Sequence, residues 1–490
     1  MIAKAATAAW GRFRLSRLGP RGRWTYHYLA ILAAAALLPV ASAAVPSAPP
    51  RQALVTNTSD TGAGSLRAVI VWADTHPGAT IRFRIPTSQL KPGDTMPTIQ
   101  PASPLPIISG NGTVIDGASQ RTANGGPESK TPAIVINGAM AGPHSYGLHL
   151  EAAHCVIRGL VINGFSGSGI EIFGPRTRSN AVQDCYIGTD AAGTSAVPNH
   201  SHGIDIALGA QENLIGGPGA GNVVSGNAER GVKLFGEGTS RNTVQGNYIG
   251  INAAGTASLA NGKNGVDLDG RASDNLIGGT RSGARNVISG NGERGVLISG
   301  PGTNQNLIEG NYIGTNAAGT AAVPNHSHGV DIGGTAQDNT IGGVEPGARN
   351  VISGNIQVGV KIYGVDTRYD VVEGNYIGTD ASGVRPLGNG DNGVDLAGGA
   401  QENVIGGTAP GSANRIAFNR ADGMRVYDAG TKNNRLGGND IYANAKLNVE
   451  WVDGTDQSNS HDGNHFDGPF LSVPTRKRGA ARPVRPSGPQ

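Results

Sequence analysis

The sequence predicts an all-β protein, a parallel β-helix in which successive turns of chain stack into a solenoid behind a short capping helix. Three observations predict it. The motif Asn-x-x-x-Gly-Val-x-Leu, or a close variant, starts at Asn199, Asn227, Asn261, Asn291, Asn325, Asn355, Asn389 and Asn419, so its steps alternate as 28, 34, 30, 34, 30, 34 and 30 residues. A second motif, Asn-x-Ile-x-Gly or a variant of it, interleaves at Asn180, Asn213, Asn242, Asn275, Asn306, Asn339, Asn403 and Asn434, with Asp370 in the remaining place. Within both motifs apolar residues alternate with others, as in Gly265-Val266-Asp267-Leu268 and Asn275-Leu276-Ile277-Gly278, the pattern of a strand with one buried face. Self-similarity at a fixed period marks a stack of like units, each burying its apolar face against the next.

The elements follow in chain order. Residues 1–43 carry six basic residues (Lys4, Arg12, Arg14, Arg17, Arg21, Arg23), no acid, an apolar run from Leu29 to Val40 and the small-residue site Ala41-Ser42-Ala43, the layout of a secretory signal. That run of about 12 residues is short of the roughly 20 that span a bilayer, so no membrane span is expected after signal removal. Without the segment, the net charge of +3 becomes 33 basic against 36 acidic residues, a net of −3. This balance argues against a nucleic-acid partner. A linker at 44–52 leads into a β-helix domain at 53–474, whose N-terminal cap covers about 53–115. Within the cap, residues 64–74 read as an amphipathic helix with Ser65 as N-cap. The least regular stretch, Asp116 to Arg158, precedes regular repeats over about 155–450, with Ile441 to Asn444 and Leu447 to Trp451 closing the stack. Residues 475–490 form a basic, Pro-rich tail with almost nothing apolar to bury, as a disordered segment has. The two cysteines fall in different columns, Cys155 in the Asn-x-Ile-x-Gly column and Cys185 five positions further along its own turn. A disulfide needs alpha carbons within about 7 Å and is not favoured.

If each repeat of about 32 residues makes one turn of three short strands, equivalent residues stack about 4.8 Å apart. Recurring asparagines then form amide ladders along the axis. Asn247-Tyr248-Ile249-Gly250, Asn311-Tyr312-Ile313-Gly314 and Asn375-Tyr376-Ile377-Gly378 recur every 64 residues. Long and short turns therefore alternate, and loops from every other turn should lie on one side, about 9.6 Å apart.

In Gly-Val-x-Leu the two apolar residues point inward and x points out. Along the axis the x column reads Glu171, Asp205, Lys233, Asp267, Leu297, Asp331, Lys361, Asp395 and Arg425. A solvated charge ladder that fixes register, at about 0.2–1 kcal/mol per pair, accounts for such a column without any ligand. The same face could bind a sugar polymer through Glu171, Asp205, Asp267 and Asp331. Beside it, the middle position of Asn-x-x-x-Gly supplies Glu229, Lys263 and Glu293, with Arg230 and Arg294 next in sequence and Lys233 in the first column. Carboxylates two turns apart, about 9.6 Å, fall at the upper edge of the inverting-glycosidase range, and a lysine or arginine beside them could take a proton next to a uronate carboxyl group. Glu229, Arg230, Lys233, Lys263, Glu293 and Arg294 are therefore the catalytic candidates. His200, His202, His326 and His328 read as exposed turn residues copied by duplication. The two pairs, four turns or about 19 Å apart, cannot share one metal. No metal site or cofactor is expected, beyond the option of a single calcium among surface carboxylates.

The segment Val55-Thr56-Asn57-Thr58 through Gly64-Ser65-Leu66-Arg67-Ala68-Val69-Ile70, followed by Gly-Asn-Tyr-Ile-Gly-Thr and Asn-Val-Ile-Ser-Gly-Asn units, resembles the exported bacterial right-handed β-helix repeat proteins of the pectin-lyase-like superfamily, in particular those with a CSLREA-type N-terminal region. The resemblance covers about residues 53–470. It implies a right-handed solenoid, a secreted, periplasmic or cell-surface location, and a polysaccharide or cell-envelope glycan as partner. Against the polygalacturonases of that superfamily, Gly188-Thr189-Asp190 and Ser201-His202-Gly203 are present but the Asp-Asp and Arg-Ile-Lys elements are missing. The superfamily hosts lyases, hydrolases, epimerases and adhesins, and a shared fold does not choose among them. Regular repetition favours a structural, glycan-binding surface protein. The alternative is a polysaccharide lyase or glycoside hydrolase acting along the face from Glu171 to Asp331, completed by a loop from the irregular stretch.

Overall fold

The computed structural model describes residues 52–123, 125–126, 130–452, 459 and 465–467. The expected signal segment, the linker up to residue 51 and the basic tail lie outside the described residues. Among the described residues the strands form three parallel sheets of 13, 13 and 11 strands, and from Val114–Asp116 to Val449–Trp451 each sheet takes every third strand in chain order. One turn passes from Leu214–Gly216 in the first sheet to Val223–Val224 in the second and Val232–Phe235 in the third. It then returns to the first sheet at Thr243–Gln245. The sequence-predicted parallel β-helix is the observed fold. Inward positions stack into continuous apolar columns, such as Ile206, Leu234 and Leu268 in register on the third sheet. A single core cluster extends from Val55 to Val449, and each fully buried Leu, Ile or Val contributes about 1.5–3 kcal/mol.

The N-terminal helix α1 spans Leu66–Asp74, and the Ser65 side chain accepts from the Ala68 N–H at 3.3 Å. Its buried residues Leu66, Val69, Ile70 and Ala73 join the end of the core. A second short helix, α2 (Ser119–Ala123), lies in the irregular stretch. At the other end the stack continues past the expected close: His465–Asp467 pairs with Asp440–Tyr442 and adds a rung to the second sheet.

Asparagine ladders line the corners, three of them rather than the two the motifs announce. In the ladder that includes Asn291, Asn325 and Asn355, the Asn291 N–H and Nδ2 both donate to Asn325 Oδ1, at 3.1 and 2.9 Å. Asn325 Nδ2 then donates to Asn355 Oδ1 and to the Ile288 carbonyl. The amide thus uses its acceptor twice and both its donors. A second ladder includes Asn213, Asn242 and Asn275, and the third includes Asn222, Asn247 and Asn286. Before the second ladder the chain turns through left-handed backbone at non-glycine residues, with φ of 58° at Glu212, 56° at Arg241 and 56° at Asp274. The following asparagine fixes that corner by bonding to the turns on either side. Cys155 and Cys185 stand at the heads of two different ladders, donating their N–H to Asn180 and Asn222 respectively. Both are free and buried, and burial pushes their thiols up to about 11 and about 12.

Alternate turns carry a projecting loop closed by an antiparallel bridge, Thr189 to Ala196, Ile251 to Ser258, Thr315 to Ala322 and Thr379 to Pro386. The loops share one side, as the alternating period requires, and they touch: Ala253 N–H donates to the Gly193 carbonyl, Ala317 to Gly255 and Ala381 to Gly319. Beneath them Ile251, Val287, Tyr312, Val323 and Val351 form a second apolar cluster.

Removing one ladder amide strands several buried partners. Asn325→Ala should cost roughly 2–4 kcal/mol, read as a lowered urea midpoint in the full chain. Asp370 interrupts its ladder: Oδ1 accepts from Asn339, whereas Oδ2 has no partner among the described residues, and burial raises the carboxyl to about 7. An unfolded aspartate titrates near 3.9, so the folded state holds a proton between about pH 4 and 7, and stability falls as pH rises through that window. Asp370→Asn should therefore match wild type near pH 4 and exceed it by roughly 1–3 kcal/mol at pH 8, measured as the difference in denaturation midpoints.

Candidate functional site

The outward column of the third sheet is in the expected register. Glu171 pairs with Asp205, Asp205 with Lys233 and Lys233 with Asp267. Asp267, Leu297, Asp331, Lys361, Asp395 and Arg425 follow on successive strands. His149 precedes the column and Glu450 ends it.

The expectation of a solvated ladder is corrected by burial: Asp267 and Asp331 are each only 1% exposed and Glu171 only 7%. The shelter comes from the residue just before each glycine, which reaches one rung on. Arg230 Nε bonds Asp267 and Arg294 Nε bonds Asp331, while Asn264 and Asn392 donate to Asp267 and Asp395 on their own rungs, at 3.0 and 2.9 Å. Half of the histidine expectation is corrected by the same packing. His200 and His326 are exposed, whereas His202 and His328 are buried in the position held by Asn264 and Asn392 on other turns.

Asp395 lacks the arginine, with Val358 in its place, but keeps Asn392, and burial raises its carboxyl to about 6; of the four aspartates only Asp205 lacks both supports. The residue that would clamp Asp205 is Ser168 instead of an arginine, so Asp205 stacks below Glu171 with its Oδ1 buried and without a hydrogen bond among the described residues. Burial first, then the charge of Asp205, raises the Glu171 carboxyl to about 8. Burial also raises Asp205 to about 6, against the opposing pull of Lys233 and Arg230. His202 faces both carboxylate neighbours, with Nε2 at 4.0 Å from Asp205 and Nδ1 at 3.4 Å from Glu229. Burial and the cations Lys233 and Arg230 lower its imidazole to about 3, so it is neutral at physiological pH. The irregular stretch contributes Tyr146 and His149 here. Their rings meet edge-on at 5.4 Å, and His149 meets Phe173 at 6.0 Å. The Tyr146 phenol is raised first by Glu171 and then by burial.

Glu229 is held ionised by Lys263 at 2.9 Å and by Arg230 at 3.2 Å. That pairing suits it to anchor cations and not to donate a proton. Glu293, Arg294 and Asp331 repeat the Glu229, Arg230 and Asp267 cluster two rungs on, with Arg294 Nη1 at 3.2 Å from Glu293. Ser327 stands where Lys263 stands in the first copy. The catalytic candidates thus fall into two copies of one cluster, and only the first adjoins the irregular rung.

The rest of the irregular stretch folds elsewhere. Ser119 and Thr122 of α2 join Arg82, Asp116, Lys130, Arg158 and Asp184 in lining a cleft of about 650 Å³ on the outer face of the first sheet, whereas Arg121 turns away to bond Thr131 and the Pro132 carbonyl. Glu128 and Asn124 lie outside the described residues. Among the described residues no group of three His, Cys, Asp or Glu side chains is placed to hold a metal ion, and no helix is long and apolar enough to cross a membrane.

A second outward column runs two residues beyond the first: Phe173, Ala207, Phe235, Asp269, Ser299, Gly333, Tyr363, Ala397 and Tyr427. Sequence reading limited to the central x of Gly-Val-x-Leu misses it, although strand alternation puts residue i+2 on the same face. Lys233 Nζ lies 4.4 Å from the Phe235 ring centre and Lys361 Nζ lies 5.2 Å from that of Tyr363.

No protein-family model and no curated protein matches the chain. Among solved structures it is similar to the Dettilon tailspike protein, at 14% identity and a TM-score of 0.46 over 84% of this chain and 68% of that one. It is also similar to the A-module of a mannuronan C-5 epimerase from Azotobacter vinelandii, at 14% identity and a TM-score of 0.39 over 86% and 96%. A PL6-family polysaccharide lyase from Pseudopedobacter saltans gives 14% identity and a TM-score of 0.40 over 89% and 97%. At these values the likenesses assign no activity to this chain.

Proposed function

We propose that this protein is an exported glycan-binding β-helix that holds a linear polysaccharide along the outer face of its third sheet. The observation that carries the reading is the paired outward columns, one of alternating charge and one bearing aromatic rings, running in register over successive rungs. The rise of about 4.8 Å per rung nearly matches the length of one sugar in an extended chain, so a polymer parallel to the axis meets equivalent groups repeatedly. Lys233, Lys263 and Arg230 supply donors to sugar hydroxyl and carboxyl groups. Aromatic faces supply apolar contact at low entropic cost.

A second reading, cleavage of the bound polymer, is favoured by the rung whose aspartate has neither the arginine nor the asparagine support and stacks on a second carboxyl group. Two stacked carboxyl groups with pKa values pushed apart form an acid and base pair. Neutral Glu171 can give its proton to the departing glycosidic oxygen while ionised Asp205 attacks the anomeric carbon. Water then releases the sugar from Asp205 and returns the proton to Glu171. Adjacent-rung spacing of about 4.8 Å sits near the roughly 5–5.5 Å of retaining pairs.

The test is incubation of the full chain with acidic and neutral polysaccharides, reading retained binding, reducing ends and unsaturated product together. Binding that weakens in Lys233→Ala is expected from the first reading, and a wild type that retains no polymer would refute it. If cleavage occurs, Glu171→Gln or Asp205→Asn should lower turnover about 10²–10⁴-fold with binding preserved. Its pH profile should rise near 6 as Asp205 ionises and fall near 8 as Glu171 loses its proton. Unsaturated product that persists in both variants would instead place an elimination elsewhere on the face.

A further inference from the structure

The two outward columns alternate together. Asp205, Asp267, Asp331 and Asp395 occupy every second rung, and beside them stand Ala207, Asp269, Gly333 and Ala397. The intervening rungs pair a cation with a ring: Lys233 with Phe235, Lys361 with Tyr363 and Arg425 with Tyr427. Glycines make room for two of the rings. A methyl on Gly333 would lie 2.5 Å from the Tyr363 ring, and one on Gly270 would lie 2.6 Å from that of Phe235. Arg425 is paired with Glu450 at 2.6 Å. In contrast, Lys233 and Lys361 make no ion pair among the described residues although aspartates flank each of them. Arg230 and Arg294 take the carboxylates of Asp267 and Asp331 and leave the two lysines over their rings. Between these lysines the matching position is Leu297.

We infer that this face selects a linear glycan with one carboxylate on every second sugar, its uronates seated at Lys233–Phe235 and Lys361–Tyr363. The inference rests on the glycan-binding reading above and adds the polymer class to it. Cation and ring stations are separated by multiples of two rungs, about 9.6 Å, the length of a disaccharide in an extended chain. A uronate can set its carboxylate against the ammonium and its ring against the aromatic face. The sugar between two uronates lies over an aspartate rung, whose arginine is already held by the aspartate, so a second carboxylate gains no free cation there while a neutral sugar loses nothing. The four rungs from Lys233 to Lys361 span two such disaccharides.

The test measures binding of the full chain to three probes: hyaluronan, which alternates a uronate with an N-acetylated amino sugar; carboxyl-reduced hyaluronan, which keeps the backbone and loses the charge; and polygalacturonate, which carries a carboxylate on every sugar. Hyaluronan should bind about tenfold more tightly than either of the others. Lys361→Ala should weaken hyaluronan about tenfold. Leu297→Lys, which supplies the missing cation midway, should tighten it severalfold, with melting temperatures confirming that both variants fold. Polygalacturonate bound as tightly as hyaluronan, or a Leu297→Lys affinity equal to wild type, overturns the alternation while leaving glycan binding in place. No retention of any of these or other polysaccharides overturns both. Lysine variants without effect on a bound polymer show that the cation and ring pairs serve only the packing of the face.

Discussion

The amide ladder is the interaction on which the rest of this structure depends. A short strand of two to four residues such as Val223–Val224 or Val232–Phe235 has little pairing of its own, and a one-residue slip would turn every inward side chain outward. Asn325 prevents the slip at its corner by tying the backbone of the preceding turn, a carbonyl inside its stack and the amide of the next turn at once. With register fixed at three corners, the apolar columns close into one core and the outward columns on the third sheet become straight rows of chemistry. Asp370 shows how narrow the tolerance is: an oxygen in place of an NH₂ leaves a buried atom without a partner among the described residues, and the carboxyl group retains its proton far above its usual range.

Rigid rows impose their own electrostatics. Carboxylates stacked every second rung cannot remain sheltered and charged without partners, and the clusters around Asp267 and Asp331 solve this with an arginine from the turn before. Where Ser168 replaces that arginine, the burden shifts to protonation of Glu171 and to a neutral His202. The same geometric repeat thus yields arginine-clamped rungs at Asp267 and Asp331 and unclamped ones at Asp205 and Asp395, whose carboxyls burial raises to about 6, because Ser168 and Val358 stand where the other turns have arginine.

The repeats, the rise, the alternation of long and short turns, the helix after Ser65 and the register of the charged column were all legible in the sequence, since each depends on local alternation or on a fixed interval. The shelter of that column was not, because it depends on contacts such as Arg230 to Asp267, 37 residues apart. Comparing the residues before each glycine, Ser168, His202, Arg230, Asn264, Arg294, His328, Val358 and Asn392, would have exposed Asp205 as the aspartate with neither an arginine before it nor an asparagine beside it. Phe173, Phe235, Tyr363 and Tyr427 escaped notice because they stand outside the four-residue motif and appear only on alternate rungs. The closing strand His465–Asp467 carries no motif and is placed by pairing alone.

A crystal structure of the full chain soaked with an acidic oligosaccharide of six or more sugars addresses the central claim most directly. Sugar density running parallel to the solenoid axis across Lys233 and Phe235, with carboxylates at the lysine rungs, is the expected result. Density confined to the cleft lined by Arg82, Lys130 and Arg158 on the first sheet, with the third-sheet face bare, would contradict it.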